Sequence, residues 1–270
     1  MEADSSVIPF SRAARSTSRR ARQVVADAAA WPAQAPDEPV RDTAMATGPQ
    51  DDFEPRERSE LASRIFNCVI ALMMLLIVAP IMVITALLVL ITSRGPVLYT
   101  QTRVGIDRRW GRTRALHERR HEDLGGVPFT IYKFRSMRVD AELNGQAVWA
   151  TKNDSRVTAI GTLMRQTRLD ELPQLFNVLL GDMNIVAPRP ERPSIFVRLR
   201  EQIDEYPVRQ RVKPGITGLA QVCNPYDSCL DDVRRKVQFD IEYMRRQSIG
   251  EDIRIMLRTV PVMLMRIGGQ

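Results

Sequence analysis

From Ile65 to Ile91 the chain reads IFNCVIALMMLLIVAPIMVITALLVLI, without one charged residue and with Arg64 and Arg94 just outside. A run this long and this uniformly apolar predicts a membrane-embedded helix. It starts too far into the chain, and is too poorly followed by small residues, to read as a cleaved signal peptide. A straight helix of this length would extend roughly 40 Å against a hydrocarbon core of about 30 Å, so a strong tilt or a break is required. Pro80 lies near the middle, where it removes an intrahelical hydrogen bond and crowds the preceding turn. Two geometries follow: a kinked helix that crosses the bilayer, or a helix-break-helix that enters and leaves by one face. Arginines on both sides (Arg56, Arg58 and Arg64; Arg94, Arg103, Arg108, Arg109 and Arg112) fit the second, with both ends on the cytoplasmic side.

The rest of the 270 residues divides around this segment. Residues 1–58, rich in Ala, Ser, Arg and Pro, read as a disordered basic tail; residues 59–94 form the membrane element; residues 95–270 form one small, mainly helical α+β domain. Val127–Met137 alternates as a strand does, and SRGPVLYTQTRVG reads as a turn followed by a strand. Helical periodicity covers Asp154–Met164, Leu172–Leu180, Ser194–Glu205, Leu230–Gln247 and Asp252–Ile267. The last of these aligns Ile253, Met256, Leu257, Val260, Met263 and Leu264, a stripe that suits a membrane interface or a protein core equally. A net charge of +7 and a pI near 9.8 fit a surface held against anionic lipid and handling a phosphorylated ligand. Nucleic acid is not an expected partner, because the arginines are scattered and no DNA- or RNA-binding pattern occurs. Cys68, Cys223 and Cys229 have neither metal spacing nor an even count, as in a reducing compartment. His117-Glu118-Arg119-Arg120-His121 matches a zinc-protease motif, but it sits in a polar insertion with no later histidine for a third ligand, and is read as accidental.

The chemistry-bearing residues lie further along. Asp170 and Glu171 are adjacent acids at a predicted helix start, and keeping both ionised requires nearby cations, for which Arg165, Arg168 and a divalent metal are candidates. Lys133 and Arg135 fall on one face of the predicted strand and together would clamp a phosphate. Arg165, five residues before Asp170, can neutralise the acid or grip a diphosphate. Arg189, between Pro188 and Pro190, is a rigidly presented guanidinium suited to bidentate phosphate binding. Lys213–Gln221, KPGITGLAQ, is a tight loop without phosphate-loop spacing.

In order, the proline-centred apolar segment, YKFRSM at Tyr132–Met137, RLDELPQLFNVLLGDM at Arg168–Met183, PRPE at Pro188–Glu191 and KPGITGLAQV at Lys213–Val222 resemble the bacterial sugar transferases, the monotopic polyprenyl-phosphate phosphoglycosyl transferases. The resemblance covers the chain from about Glu60 onward. It implies a transferase of the EC 2.7.8 type that moves a hexose 1-phosphate from a UDP-sugar to undecaprenyl phosphate and starts polysaccharide or glycoconjugate assembly. It implies Asp170 as the nucleophile that forms a phosphosugar intermediate and expels UMP, and Glu171 as the Mg2+ ligand. Lys133, Arg165 and Arg189 would hold phosphate oxygens. It also implies that the helix broken at Pro80 is re-entrant, and that the domain, with interfacial amphipathic helices, rests on membrane lipid at the cytoplasmic face of the bacterial inner membrane. Ala79, Arg168 and Ala187 stand where relatives often have Ser, Ser and Gly. A catalytically inert scaffold that binds lipid phosphate or polysaccharide enzymes is the alternative. Sequence leaves open the sugar, the pathway and the oligomeric state, a homodimer included.

Overall fold

The computed structural model describes residues 53–107, 125–139, 141, 154–223 and 229–264, and the zinc-protease match, most of the polar insertion and most of the predicted tail lie outside them. The apolar run forms helix α1 (Glu60–Thr92), capped by the Ser59 hydroxyl, which accepts from Ala62 N. Helical conformation continues through Pro80, where the sequence predicts a break; a proline removes one donor without obliging the helix to end. One face is buried at Ser63, Asn67, Ala71, Thr85 and Val89, whereas Leu61, Leu76, Ile77 and Ile91 are among many apolar side chains left exposed. Only 11% of its most apolar window is buried, unlike a soluble core helix.

Both ends of α1 pack on the same domain. Near its start, Asn67 is wholly enclosed: its Nδ2 donates to Ser63 O at 2.7 Å and its Oδ1 accepts from Ile185 N at 2.6 Å. Near its end, Val89 joins Phe134 and Met164 in a small cluster. An arginine fixes the approach, for Arg64 donates to the carbonyls of Val178 and Leu179 at the C-terminal end of a neighbouring helix, where a cation complements the dipole.

Strands β1 (Leu98–Val104) and β2 (Pro128–Phe134) form an antiparallel pair with Tyr99 opposite Lys133 and Val104 opposite Pro128. Helix α2 (Ala159–Thr167) follows, then a 3-10 turn (Leu169–Glu171) and helix α3 (Gln174–Leu180), which ends at Gly181 in the left-handed conformation. Strand β3 (Asn184–Val186) pairs in parallel with β4 (Gly215–Thr217). Between them run α4 (Pro193–Arg200) and a 3-10 stretch (Tyr206–Arg211), and after them α5 (Leu219–Cys223), α6 (Leu230–Arg246) and α7 (Ile249–Leu264). The larger core gathers Ala71 of α1, Leu175 and Val178 of α3, β3, Tyr243 and Met244 of α6 and Ile255 of α7. The domain is thus mainly helical with little sheet.

Two details revise expectations. Phe53–Arg58, counted with the tail, is docked: Arg56 N donates to Met244 O at 2.9 Å and Arg58 pairs with buried Asp252 at 3.1 Å. The stripe on α7 faces outward at Ile253, Leu257 and Val260, while Met256 packs against the core that Ile255 fills, so the stripe divides between an outward apolar face and the core.

Candidate active site

Helix α2 stops at Arg168, which takes a left-handed backbone conformation (φ 55°) that is uncommon outside glycine. The turn it makes swings the chain into Leu169–Glu171, so Asp170 and Glu171 sit in a 3-10 turn between two helices and not in the first turn of one. Beside them runs β2. Its free edge is held by Asn177 of α3, whose Nδ2 donates to Thr130 O at 2.6 Å and whose Oδ1 accepts from Tyr132 N at 3.1 Å. The strand that carries Lys133 is therefore locked to the helix that follows the acids.

Glu171 is enclosed by cations. Lys133 Nζ lies 3.2 Å from Oε1; Arg189 reaches both oxygens, with Nη1 at 3.1 Å from Oε2 and Nη2 on Oε1; Arg168 Nη1 lies 3.8 Å from Oε2. Burial opposes ionisation of Glu171, but Arg189 and Lys133 outweigh it and hold the carboxyl well below its usual range. Asp170 differs. It is 7% exposed, and among the described residues its carboxylate accepts no hydrogen bond from a side chain. Burial pushes its pKa up to about 6, with Glu171 adding to the rise and Lys133, Arg189 and Arg165 opposing it. Two adjacent acids thus differ sharply: one is clamped and firmly ionised, the other unclamped and more basic. Burial also lowers the pKa of Lys133, against the pull of Glu171.

Of the residues singled out by sequence, Lys133, Asp170, Glu171 and Arg189 converge, and Arg165 in the last turn of α2 is close enough for its charge to act on Asp170. Arg135 does not join them. It lies one residue beyond β2, its N–H still donating to Val97 O at 2.9 Å, and its buried guanidinium is drawn to the end of α1, where it donates to Ser93 O at 2.6 Å. KPGITG, without phosphate-loop spacing in the sequence, has a packing role in the structure. Its glycines pack behind the loop that carries Arg189: a Cβ at Gly215 would stand 2.2 Å from Ala187 N.

A divalent metal fits on limited terms. Oε1 of Glu171 already takes two donors, whereas Oε2 takes one hydrogen bond and a distant ion pair, which leaves it a lone pair. No cluster of three metal-binding side chains occurs among the described residues. That donor set suits Mg2+, which commonly takes one or two carboxylates and completes its shell with water and substrate phosphate.

Sequence reasoning missed the supports. Asn177 fastens β2, Asn67 fastens α1 to β3, and Arg209 with Asp240 forms a buried ion pair at 2.6 Å beneath the Arg189 loop. No spacing marks such residues, because each acts on a backbone distant in sequence.

Comparison with known proteins gives a consistent result. The sequence model of a family described as bacterial sugar transferase matches residues 58–266. An Escherichia coli UDP-glucose:undecaprenyl-phosphate glucose-1-phosphate transferase is 39% identical over 204 residues, covering 75% of this chain and 40% of the relative. A transferase of the same description from Caulobacter vibrioides is 36% identical over 212 residues, covering 78% and 72%. A UDP-N-acetylgalactosamine-undecaprenyl-phosphate N-acetylgalactosaminephosphotransferase from Aeromonas hydrophila is 38% identical over 192 residues, covering 71% and 41%. The alignments span well under half of the E. coli and A. hydrophila proteins.

Proposed function

Because the chain belongs to the bacterial sugar transferase family, we propose that it transfers a hexose 1-phosphate from a UDP-sugar to undecaprenyl phosphate through a covalent intermediate on Asp170. The observation that carries this reading is the geometric contrast within the acid pair: the Asp170 carboxylate accepts no hydrogen bond from a described side chain, beside a Glu171 held by Lys133 and Arg189, and burial raises the Asp170 pKa. An acid of raised pKa is the better nucleophile of the two, and it is still largely ionised at neutral pH.

An oxygen of Asp170 attacks the phosphorus that bears the sugar. The bond from that phosphorus to the bridging oxygen breaks, and UMP leaves with the oxygen. The phosphosugar is then an acyl phosphate on Asp170. An oxygen of undecaprenyl phosphate attacks the same phosphorus, restores the carboxylate and yields the lipid diphosphate sugar. Lys133, Arg165 and Arg189 hold phosphate oxygens and offset the charge that develops on them; phosphoryl transfer depends mainly on such positioning and electrostatics. When bound, Mg2+ would sit on Oε2 of Glu171 and neutralise diphosphate charge.

A re-entrant α1 and a domain at the cytoplasmic face of the inner membrane belong to the same reading. It is supported by the packing of both ends of α1 on one domain, by Pro80 between them, and by the outward apolar stripe of α7. The test is UMP release by purified protein in detergent with Mg2+, undecaprenyl phosphate and a panel of UDP-sugars. Release with one sugar, lost in Asp170→Asn and Glu171→Gln, is expected. No release with any donor would indicate an inert scaffold, and release undiminished in Asp170→Asn would remove the nucleophile assignment.

A further inference from the structure

Arg189 is carried by a loop most of whose carbonyls are fixed by donors from different parts of the fold. Val186 O accepts from the Tyr243 hydroxyl at 2.9 Å, Pro188 O from Gly215 N at 2.9 Å, Arg189 O from Arg209 Nη2 at 3.1 Å, Pro190 O from Arg103 Nη1 at 3.2 Å and Glu191 O from Val104 N at 2.9 Å. Pro188 and Pro190 restrict φ and have no N–H to compete for other partners. The carbonyl of Arg189 belongs to the residue that bears the working guanidinium, and its donor, Arg209, makes no hydrogen bond or ion pair with Asp170 or Glu171 among the described contacts.

That donor is elaborately held. Arg209 Nε donates to Asp240 Oδ2 at 2.6 Å and Nη1 to the Tyr206 hydroxyl at 2.9 Å, and the guanidinium lies 4.9 Å from the Tyr206 ring centre. The side chains of Arg209 and Asp240 are each 2% exposed, so neither can touch a substrate. A buried ion pair contributes little net stability relative to an apolar replacement, so stability alone is a poor account of one placed beneath this loop. The guanidinium meets its three acceptors from three separate nitrogens of one rigid plane, whereas a lysine ammonium would have to reach all three from a single nitrogen.

We propose that Arg209, aimed by Asp240 and Tyr206, is a positioning residue that sets Arg189 on Glu171 by holding the Arg189 carbonyl. The inference rests on the function proposed above, in which Arg189 grips phosphate oxygens.

The test is a double-mutant cycle on the full-length protein, reading kcat/KM for UMP release and the melting temperature together. Arg209→Lys keeps the positive charge opposite Asp240 and should lose about ten- to a hundredfold in kcat/KM, as small misplacements of working groups do. Tyr206→Phe, a milder change that keeps the ring, should lose less in the same direction and guards against misfolding of the first variant. In an Arg189→Lys background Arg209→Lys should cost under about twofold in kcat/KM, because its client is already gone, while the melting-temperature losses add. Losses in kcat/KM that multiply across the cycle would overturn the inference. If the wild type releases no UMP with any donor, the functional reading fails instead. Positioning is then decided by the Arg189 Nε–H signal of 15N-arginine-labelled protein, assigned by its loss in Arg189→Lys: broadening or displacement in Arg209→Lys supports the inference, and an unchanged signal overturns it.

Discussion

Asp170 and Glu171 are neighbours in sequence and opposites in environment, which yields a pH dependence with a definite sign. Burial raises Asp170 from 3.8 to about 6. As a nucleophile it must be ionised, so kcat/KM should fall about tenfold per pH unit below an apparent pKa near 6. A limb near 4 in the pH–rate profile would mean that the raised value does not hold in the working enzyme. The stability effect runs the other way. Between pH 3.8 and about 6 the folded state binds more protons at this site than the unfolded chain, so stability falls as pH rises through that window and stays reduced above it. Asp170→Asn removes the burdened charge and should raise the melting temperature at about pH 8, by up to about 3 kcal/mol in stability, while abolishing turnover. An unchanged or lower melting temperature would count against an ionised, poorly compensated Asp170. At this scale much of the site is legible in the sequence. The motif residues Lys133, Asp170, Glu171 and Arg189 converge, whereas Arg135, paired with Lys133 by strand periodicity, gives its guanidinium to the carbonyl of Ser93 at the end of α1, a partner distant in sequence.

Among the elements, α1 is the one whose identity is plainest from sequence and whose attachment is least so. Its apolar run predicts a helix, but nothing in that run says that Asn67 will receive the N–H of Ile185. Asn67→Ala leaves that buried donor unpaired, which should cost about 1–3 kcal/mol. A lower melting temperature at fixed scan rate in detergent is the readout, and an unchanged value would show that α1 and β3 are joined without this bond. The glycines of KPGITG are a related case. The sequence gives them only as part of a tight loop without phosphate-loop spacing, whereas they serve close approach of β4 to the backbone before Arg189, a reason that exists only once β3 and β4 are paired.

For the whole molecule, the open choice in the sequence lies between a helix that crosses and one that returns. Both ends of α1 belong to one packed body, so cysteines introduced at positions 60 and 95 should both be labelled from the cytoplasmic side by an impermeant maleimide in intact spheroplasts and inverted vesicles. Labelling from opposite sides would sink the re-entrant reading. The outward apolar face of α7, with Arg254 and Arg258 alongside, gives the same body a second surface suited to an interface. Residues near one another in the chain encode an apolar run of membrane length, the period of the helices, a proline-bracketed arginine and a doublet of acids. Tertiary structure alone decided which cations close on Glu171 and which acid stays free. It also decided that Arg209 and Asp240 meet under the Arg189 loop and that Arg135 serves the end of α1. These outcomes depend on charge and hydrogen bonding between groups far apart in the chain, whose partners exist only after the backbone has brought them together.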